Sequence, residues 1–231
     1  MKGKSSLKRK HGKKGEKTML EKIELIAQSA IRIENKDGKI IYFDPFKLDE
    51  KYSKDADIIF ITHPHFDHFS PEDIEKIKKN DTKIVAPKEL KIKIKQIGFQ
   101  IENTILVMPN EKFEFEGIKI ETIPAYNINK DYHRKEYNWV GYIVTIDGKR
   151  VYVAGDTDNI EEARNIKCDI ACVPVGGTYT MNYKEAAELV KAIKSEIAIP
   201  IHYKTIVGSE KDAINFKQEL QEIVNVDILM K

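Results

Sequence analysis

The sequence has few of the features that mark secreted or membrane-spanning proteins. Its 231 residues include two cysteines, too few for a disulfide-stabilised scaffold. No apolar run approaches the roughly 18 residues of a membrane span, and the first residues lack the apolar stretch of a signal peptide. We therefore expect a cytoplasmic protein that folds around a hydrophobic core without disulfides and without a membrane.

The two cysteines, Cys168 and Cys172, lie in an apolar segment. Their C-x-x-x-C spacing is compatible with a metal or redox motif, but the residues around them are typical of a buried strand. In a reducing compartment, we interpret both as small core thiols.

The net charge of +2 is unevenly distributed. Residues 1–17 hold eight of the 39 basic residues and one of the 37 acidic residues, so the rest of the chain has a net charge of −5. The basic segment could be a nucleic-acid-binding arm, a disordered extension, or a stretch that precedes a natural start at Met19. We favour the last two and predict a tail over residues 1–18 and one domain over residues 19–231. The acidic body argues against nucleic acid as a partner of the folded part.

Turn and cap signals predict the order of strands and helices. Asp37-Gly38 and Asp147-Gly148 are typical of hairpin turns, and Ser70-Pro71 is typical of a helix start. Asn182 and Glu185 predict a capping box before a helix that runs to about residue 194. We expect mostly antiparallel strands in two sheets that are covered by outer helices, which is an α+β fold.

Residues 62–68, Thr-His-Pro-His-Phe-Asp-His, contain three of the six histidines and follow the apolar run 56–61. Side chains at positions i and i+2 of an extended chain point the same way, so His63 and His65 could bind one ion from a strand end. If the chain then turns into a helix, Asp67 and His68 could face a second ion. Imidazole and carboxylate suit Zn and its first-row neighbours. The segment therefore predicts a metal site rather than a solvated loop.

Two further strand ends carry candidate ligands. Asp156 follows the apolar strand that begins at Val151, and its two carboxylate oxygens could each bind one ion. His202 ends the apolar run 197–201. Asp156 alone could be a helix N-cap and His202 alone a satisfied buried histidine. Together with residues 62–68, both indicate metal ligands held rigidly at the rim of a sheet.

Taken in order, Thr-His-Pro-His-Phe-Asp-His, Ala-Gly-Asp-Thr-Asp and Pro-Ile-His resemble the motifs of the metallo-β-lactamase superfamily. The resemblance is strongest to its branch of L-ascorbate 6-phosphate lactonase-like hydrolases. It extends over about residues 19–231 and includes Tyr42-Phe43-Asp44-Pro45. It implies a four-layer αββα sandwich with the site at one edge of the two sheets. It also implies a ligand assignment: His63 and His65 for the first ion, Asp67, His68 and His202 for the second, and Asp156 as the bridge.

The chain departs from the family pattern at one position. A third histidine for the first ion is expected between residues 62–68 and the Gly-Asp strand, but the matching segment ends in Asn127. An amide oxygen is a weaker Zn ligand than imidazole. Asn127 could ligate weakly, His133 could reach in from the same loop, or the first site could be partly vacant. His133 has a competing role as a substrate-facing acid or phosphate contact.

These residues predict a metal-dependent hydrolase that uses two divalent ions and a metal-activated water on an ester, lactone or phosphodiester. Zn is the first expectation for the metal, with Mn or Fe as alternatives. Asp67 is the candidate that orients the water and takes up a proton, and His133 is the second catalytic candidate. Asn127, Thr178 and Tyr179 are candidate substrate contacts. The loop 176–181 either holds an anionic group of a small-molecule substrate at the following helix start or is a tight turn with hydroxyl caps.

Two other functions stay open from the sequence. A nuclease of the same fold could grip phosphates with the basic tail and the lysine-rich segment 88–95. A metal-binding or sensor protein without catalysis would hold one fully coordinated ion. The sequence does not indicate an oligomeric state.

Overall fold

The computed structural model describes residues 17–230, so most of the predicted basic tail lies outside the described residues. Within this range the chain forms thirteen strands and five α-helices. The strands are β1 (Ile23–Ala27), β2 (Ala30–Glu34), β3 (Ile40–Phe43), β4 (Ala56–Phe60), β5 (Lys78–Pro87), β6 (Thr104–Val107), β7 (Lys112–Phe115), β8 (Ile118–Pro124), β9 (Val140–Ile146), β10 (Lys149–Val153), β11 (Ile170–Pro174), β12 (Ile197–Ile201) and β13 (Asn225–Val226). The helices are α1 (Pro71–Ile77), α2 (Lys91–Gln96), α3 (Glu161–Arg164), α4 (Tyr183–Ile193) and α5 (Glu210–Leu220).

The strands form two mixed sheets. Sheet one has the order β1-β2-β3-β4-β5-β6, and sheet two has the order β13-β12-β11-β10-β9-β8-β7. The expectation of mostly antiparallel strands is wrong: six of the eleven pairings in residues 17–230 are parallel. For five of the six, the reason is that α1, α2, α3, α4 and α5 each connect two neighbouring strands, and a helical crossover returns the chain in the same direction. The strands of the sixth pair, β3 and β4, are connected by residues 44–55 without an α-helix.

The two sheets pack face to face between outer helices. In β3, Ile41 and Phe43 join the core between the sheets, whereas Ile40 and Tyr42 face a second cluster that includes Ile74 of α1 and other residues of α1 and α2. This alternation follows from the two-residue period of a strand. Residues of α4 and α5 pack on the core of sheet two. The predicted α+β, four-layer αββα sandwich is confirmed.

Local signals in the sequence correspond to the observed element ends. Ser70 caps α1 by accepting a hydrogen bond from the Asp73 amide, and Asn182 and Glu185 form the capping box of α4. The hairpin at residues 147–148 joins β9 and β10. The apolar run 23–34 is split into β1 and β2 at Gln28, which has a φ of 49°.

No helix among residues 17–230 is long and apolar enough to cross a membrane. Cys168 and Cys172 are free thiols. Burial raises the pKa of the Cys168 thiol to about 12 and that of Cys172 further, so neither is a ready thiolate.

The fold brings strand ends from the two sheets together at one edge. The Val140 amide at the start of β9 donates a hydrogen bond to the Thr62 carbonyl just after β4 (3.2 Å). The buried Tyr142 hydroxyl of β9 donates to the Ile61 carbonyl (2.8 Å). These bonds fix the end of a sheet-one strand against sheet two, next to the segment 62–68.

Candidate metal centre

Seven side chains from four chain segments form two adjacent groups that could each hold a metal ion. In each group, one potential ligand atom per residue lies within 4.8 Å of the others. Group one consists of His63, His65, His133 and Asp156, and group two of Asp67, His68 and His202. Six of the seven were candidate metal ligands from the sequence, and His133 takes a place in group one where Asn127 was the alternative.

Strand ends and short loops position both groups. The segment 62–68 follows β4, His133 lies in the loop between β8 and β9, Asp156 follows β10, and His202 follows β12. Side chains at the ends of paired strands have little freedom to move, which favours a preorganised site. His202 has a φ of 57°, and its amide donates a hydrogen bond to the Gln28 carbonyl (2.7 Å).

Within group one, the distances between potential ligand atoms suit one small cation. His63 Nε2 lies 3.1 Å from His65 Nδ1, and His133 Nε2 lies 3.2 Å from Asp156 Oδ2. His63 Nε2 is 3.9 Å from the same carboxylate oxygen. Ligand atoms bonded to one tetrahedral Zn ion at about 2.0–2.1 Å are about 3.3 Å apart.

Group two has a similar spacing and shares Asp156 with group one. His68 Nε2 lies 3.3 Å from Asp156 Oδ1 and 3.5 Å from Asp67 Oδ2. His202 Nε2 lies 3.1 Å from Asp156 Oδ2 and 3.6 Å from Asp67 Oδ2. Asp156 therefore lies between the groups, with each carboxylate oxygen close to a histidine nitrogen.

Several buried polar atoms of the two groups have no hydrogen-bond partner. They include His68 Nε2, His133 Nε2 and Asp156 Oδ1. Buried polar atoms are normally satisfied, and these three point into the cluster. Nitrogen and carboxylate oxygen are the donor set that Zn and other first-row divalent ions prefer. The residues present therefore fit a pair of divalent ions.

Asp44, which the sequence reasoning did not select as a site residue, anchors His68. Its buried carboxylate accepts a hydrogen bond from His68 Nδ1 at 2.7 Å, as well as from the Thr62 amide and hydroxyl. Donation from Nδ1 leaves the Nε2 lone pair of His68 directed at the cluster. The only sequence signal for Asp44 was its place before Pro45 at the end of an apolar strand. The same pattern is typical of the start of a loop.

Thr62 extends the same arrangement to group one. Its hydroxyl donates to Asp44 Oδ2 (2.7 Å), so its oxygen is free to accept a hydrogen bond from His63 Nδ1 (3.0 Å). The Nε2 lone pair of His63 then faces His65 and Asp156. One buried carboxylate thereby orients a histidine in each group.

Asn127 lies behind His133 rather than among the potential metal ligands. Asn127 Oδ1 is 2.9 Å from His133 Nδ1 and accepts its hydrogen, which leaves Nε2 of the ring directed at Asp156. The Asn127 side-chain amide donates to Asp158 Oδ1 (3.1 Å) and to the Tyr179 carbonyl (3.0 Å). Both polar atoms of this buried amide are therefore engaged, and His133 itself is almost fully buried.

Two further side chains missed from the sequence pack against the groups. The Gln28 amide nitrogen donates to Asp67 Oδ2 (3.2 Å). The Trp139 ring packs against two histidines of group one. Its centroid lies 5.0 Å from that of His63 and 4.9 Å from that of His65. Its indole donates to Glu89 (2.6 Å). The only sequence signal for Gln28 was that it is a polar residue within an apolar run. No sequence signal pointed to Trp139.

The charge state of the histidines differs between the groups. Burial lowers the pKa of His63 and His65, and neighbouring histidines add to the effect. Burial also lowers the pKa of His202, but the negative charge of Asp156 outweighs it and raises the pKa to about 9. Asp156 and Asp44 likewise raise the pKa of His68 well above its usual value against the effect of burial. His63 and His65 therefore offer neutral imidazoles, whereas His68 and His202 hold protons until a cation displaces them.

The loop 176–181 takes the form of a tight turn. The Gly177 amide donates to the Met181 carbonyl, and the Thr178 amide donates to the Gly176 carbonyl. At the start of α4, the amides of Lys184 and Glu185 donate to Asn182. These amides are occupied, which favours the tight turn over the anion-binding alternative. Thr178 is exposed, and the Tyr179 ring contacts Tyr132.

The chain is similar to proteins of known family. The sequence profile of the β-lactamase superfamily domain matches residues 22–202. A UPF0173 metal-dependent hydrolase from Thermoplasma acidophilum is 36% identical over 190 residues, which cover 78% of this chain and 82% of the relative. A UPF0173 metal-dependent hydrolase from Thermococcus onnurineus is 30% identical over 223 residues, with coverage of 90% and 96%. The solved structure of a metallo hydrolase from Ignicoccus hospitalis matches with a TM-score of 0.76 at 28% identity, over 90% of this chain and 94% of that chain.

These matches confirm the predicted superfamily, whereas the lactonase-like branch stays a prediction. The profile covers most of the chain and includes all seven residues of the two groups. The chain belongs to the UPF0173 metal-dependent hydrolases of the metallo-β-lactamase superfamily.

Proposed function

We propose that the two groups bind two divalent ions and that the protein hydrolyses an ester or lactone bond in a small molecule. The observation that carries the proposal is the convergence of six ligand-type side chains around Asp156, with buried nitrogen and oxygen atoms left without partners. Zn is our first expectation for the metal, with Mn or Fe as alternatives, because all three accept imidazole and carboxylate.

The proposed ligand assignment follows the two groups. His63, His65 and His133 would hold one ion, Asp67, His68 and His202 would hold the second, and Asp156 would contribute to both. Asn127 and Asp44 act as positioning residues, because each accepts the Nδ1 hydrogen of a ligand histidine and so fixes the tautomer and the direction of Nε2. This assignment gives His133 a ligand role in place of the alternative role as a substrate-facing acid.

When bound, divalent ions lower the pKa of water toward neutrality and polarise a carbonyl oxygen. Asp67 is suited to orient a water molecule by accepting its hydrogen. Burial raises the pKa of Asp67, but interactions with His202 and His68 outweigh it and hold the pKa below its usual value. The ionised carboxylate is a hydrogen-bond acceptor that takes up a proton only briefly. The side-chain amide of Gln28 donates a hydrogen bond to Asp67 Oδ2 and so holds the carboxylate in place.

The decisive experiment combines metal analysis with a substrate panel. We expect about two equivalents of metal per chain by elemental analysis, and metal-dependent turnover of esters or lactones. Asp156→Asn removes charge from the bridge and should lose metal and activity together. Asp169→Asn, which changes a carboxylate at the start of β11, is the matched control and should keep both.

Three outcomes would point elsewhere. A single ion with no open coordination position would favour the metal-binding or sensor function. A fully loaded protein that is inactive on esters, thioesters, lactones and amides would contradict the proposal. Rapid cleavage of RNA or DNA that survives removal of residues 1–17 would favour the nuclease. The cytoplasmic location stays a prediction.

A further inference from the structure

Large apolar side chains are exposed in the loops that carry the two groups. Phe66 is 68% exposed, Tyr132 49% and Ile206 39%. Phe66 lies between His65 and Asp67, Tyr132 precedes His133, and Ile206 follows His202 by four residues. Five of the nine exposed large apolar side chains in residues 17–230 lie in the three loops 62–70, 125–139 and 202–208. Single exposed apolar residues are common, but five of them in the three loops that carry one polar site make these loops a candidate binding surface.

Two of these aromatic rings are held by neighbouring rings. The Phe66 ring meets the Phe46 ring edge-on with centroids 5.9 Å apart, and the Tyr132 ring meets Tyr179 in the same way at 4.7 Å. The Tyr179 carbonyl also accepts the hydrogen bond from Asn127, which links this pair to the support of His133. Aromatic surfaces fixed in advance bind an apolar group at a small cost in conformational entropy.

The lysine and arginine side chains of the same loops have acidic partners. Lys130 Nζ lies 2.6 Å from Asp158, Arg134 lies 3.5 Å from Asp131, Lys135 lies 3.0 Å from Glu162, and Lys204 lies 3.9 Å from Glu210. In the neighbouring loop, Lys47 Nζ lies 5.6 Å from the centroid of the Phe46 ring. A phosphate group would therefore meet carboxylates beside almost every cation, whereas an uncharged apolar group meets exposed rings. Phosphate recognition usually depends on free cations.

We propose that the substrate carries an uncharged apolar acyl or aryl body next to its scissile carbonyl, and that Phe66, Tyr132 and Ile206 bind this body. These three side chains are defined here as the apolar rim. The inference rests on the proposed function for the position of the scissile bond. It narrows the substrate to apolar esters or lactones and makes the apolar rim the determinant of chain-length preference.

The test measures binding separately from turnover. The full chain loaded with Zn is titrated with alkyl hydroxamic acids from acetohydroxamic to decanohydroxamic acid, which chelate the metal through one common head group. Trp139 is the only tryptophan of the chain and lies next to group one, so its fluorescence reports binding. We expect the affinity to rise about two- to fourfold for each added methylene group that contacts the rim.

Variants of the apolar rim should change only the chain-length dependence. Phe66→Ala and Tyr132→Ala should each reduce, at least tenfold, the ratio of the affinity for decanohydroxamic acid to that for acetohydroxamic acid. The affinity for acetohydroxamic acid itself should stay the same. Ile92→Ala and Ile223→Ala change equally exposed apolar residues elsewhere and should leave the whole series unchanged. Thermal unfolding checks that each variant is folded.

The outcomes distinguish this inference from the proposed function. Equal affinity for short and long chains, or a chain-length gain that Phe66→Ala and Tyr132→Ala leave intact, overturns the inference. So does a Zn-loaded protein that binds none of the series, because the apolar rim and the metal centre then do not form one site. Chain-length-dependent binding without hydrolysis of any ester or lactone overturns the proposed function and supports only the part of the inference that makes the apolar rim the surface for an apolar body. Faster cleavage of a charged phosphodiester than of esters, insensitive to Phe66→Ala, overturns the inference and also the proposed ester or lactone reaction.

Discussion

At the scale of single residues, the orientation of the candidate ligands depends on their hydrogen-bond partners. His68 and His133 each donate from Nδ1 to an oxygen that is not part of either group, Asp44 Oδ2 and Asn127 Oδ1 respectively. The acceptor is a carboxylate in one case and an amide in the other. A carboxylate acceptor raises the basicity of its imidazole more than a neutral amide does. The two proposed sites should therefore differ in metal affinity.

We predict that Asp44→Asn lowers the metal affinity of group two about 10- to 100-fold, the usual cost of removing a partner behind a ligand histidine. Asparagine keeps the size of the side chain but removes the negative charge that holds the Nδ1 hydrogen of His68. Competition with a chromophoric chelator measures the affinity. Asp57→Asn is the control. Asp57 lies at the end of β4 that is remote from residues 62–68, where it accepts a hydrogen bond from the Ile40 amide of β3. Equal affinities in the two variants would contradict the role of Asp44.

A second prediction at this scale concerns pH. Asp156 raises the pKa of His202 to about 9, so a metal ion must displace a proton from His202 at neutral pH. The apparent affinity of group two should rise with pH up to about pH 9 and then level off, with proton release on binding. Calorimetry in buffers of different ionisation enthalpy measures the released protons. Binding that is independent of pH between 6 and 9 would contradict the prediction.

The raised pKa of His202 also affects the stability of the metal-free protein. Stability falls as the pH rises, whereas metal affinity increases. A folded-state pKa that is raised above the unfolded value contributes stability at low pH. For His202 this contribution is complete below about pH 6.5, the usual histidine pKa, and is lost as the pH rises through about 9. Chelator-treated protein should therefore lose stability over this range, in contrast to the tighter metal binding of the loaded form.

At the scale of elements, the neighbouring strands β11 and β12 determine where His202 lies. The two strands are parallel and in register through Pro174 and Ile201. The loop after β11 then passes close to the backbone after β12: a Cβ atom on Gly176 would come within 2.3 Å of the His202 carbonyl oxygen. Glycine is therefore required at this position because of a close approach of two backbones.

We predict that Gly176→Ala displaces His202 and releases metal from group two, with an overpacking cost of about 1–3 kcal/mol in the free energy of unfolding. Elemental analysis and denaturant unfolding measure the two effects. Asn182→Ala is a matched control in the same region. It removes the N-cap of α4 and should cost about 0.5–2 kcal/mol without loss of metal. Full metal content in Gly176→Ala would show that the backbone contact does not position His202.

At the scale of the whole molecule, the proposed centre joins the two sheets. His63, His65, Asp67 and His68 follow a strand of sheet one, whereas His133, Asp156 and His202 belong to loops of sheet two. Ions bound at both groups would therefore connect parts of the chain that are otherwise held together by the apolar core. A ligand that binds only the folded state stabilises it by mass action.

We predict that chelation of the metal lowers the free energy of unfolding by about 2.7 kcal/mol for each ion removed, relative to protein at a free metal concentration of 100 times Kd. For a chain of this size, the midpoint of thermal unfolding should fall by several degrees, at about 2–4 °C per kcal/mol. Thermal scans with and without EDTA measure the shift. Asp156→Asn should unfold at the same temperature in both conditions, and an equal shift in this variant would contradict the role of the bridge.

The sequence by itself determined the features that depend on neighbouring residues. The caps at Ser70 and Asn182 and the hairpin at residues 147–148 follow from local hydrogen bonding. The spacing within residues 62–68 predicted that these side chains would be brought together, because a strand followed by a turn fixes their directions. Recognition of the αββα fold came from three motifs in order along the chain.

Only the tertiary structure decided the features that join distant segments. It brought His133, one of the alternatives that the sequence left open, into group one and made Asn127 its support, because the loop between β8 and β9 folds back on itself. It placed Asp44, 24 residues before His68, as the partner of that ring. It also made six of the eleven strand pairings parallel. Local spacing cannot predict such contacts, because they depend on how two sheets and their crossover helices pack.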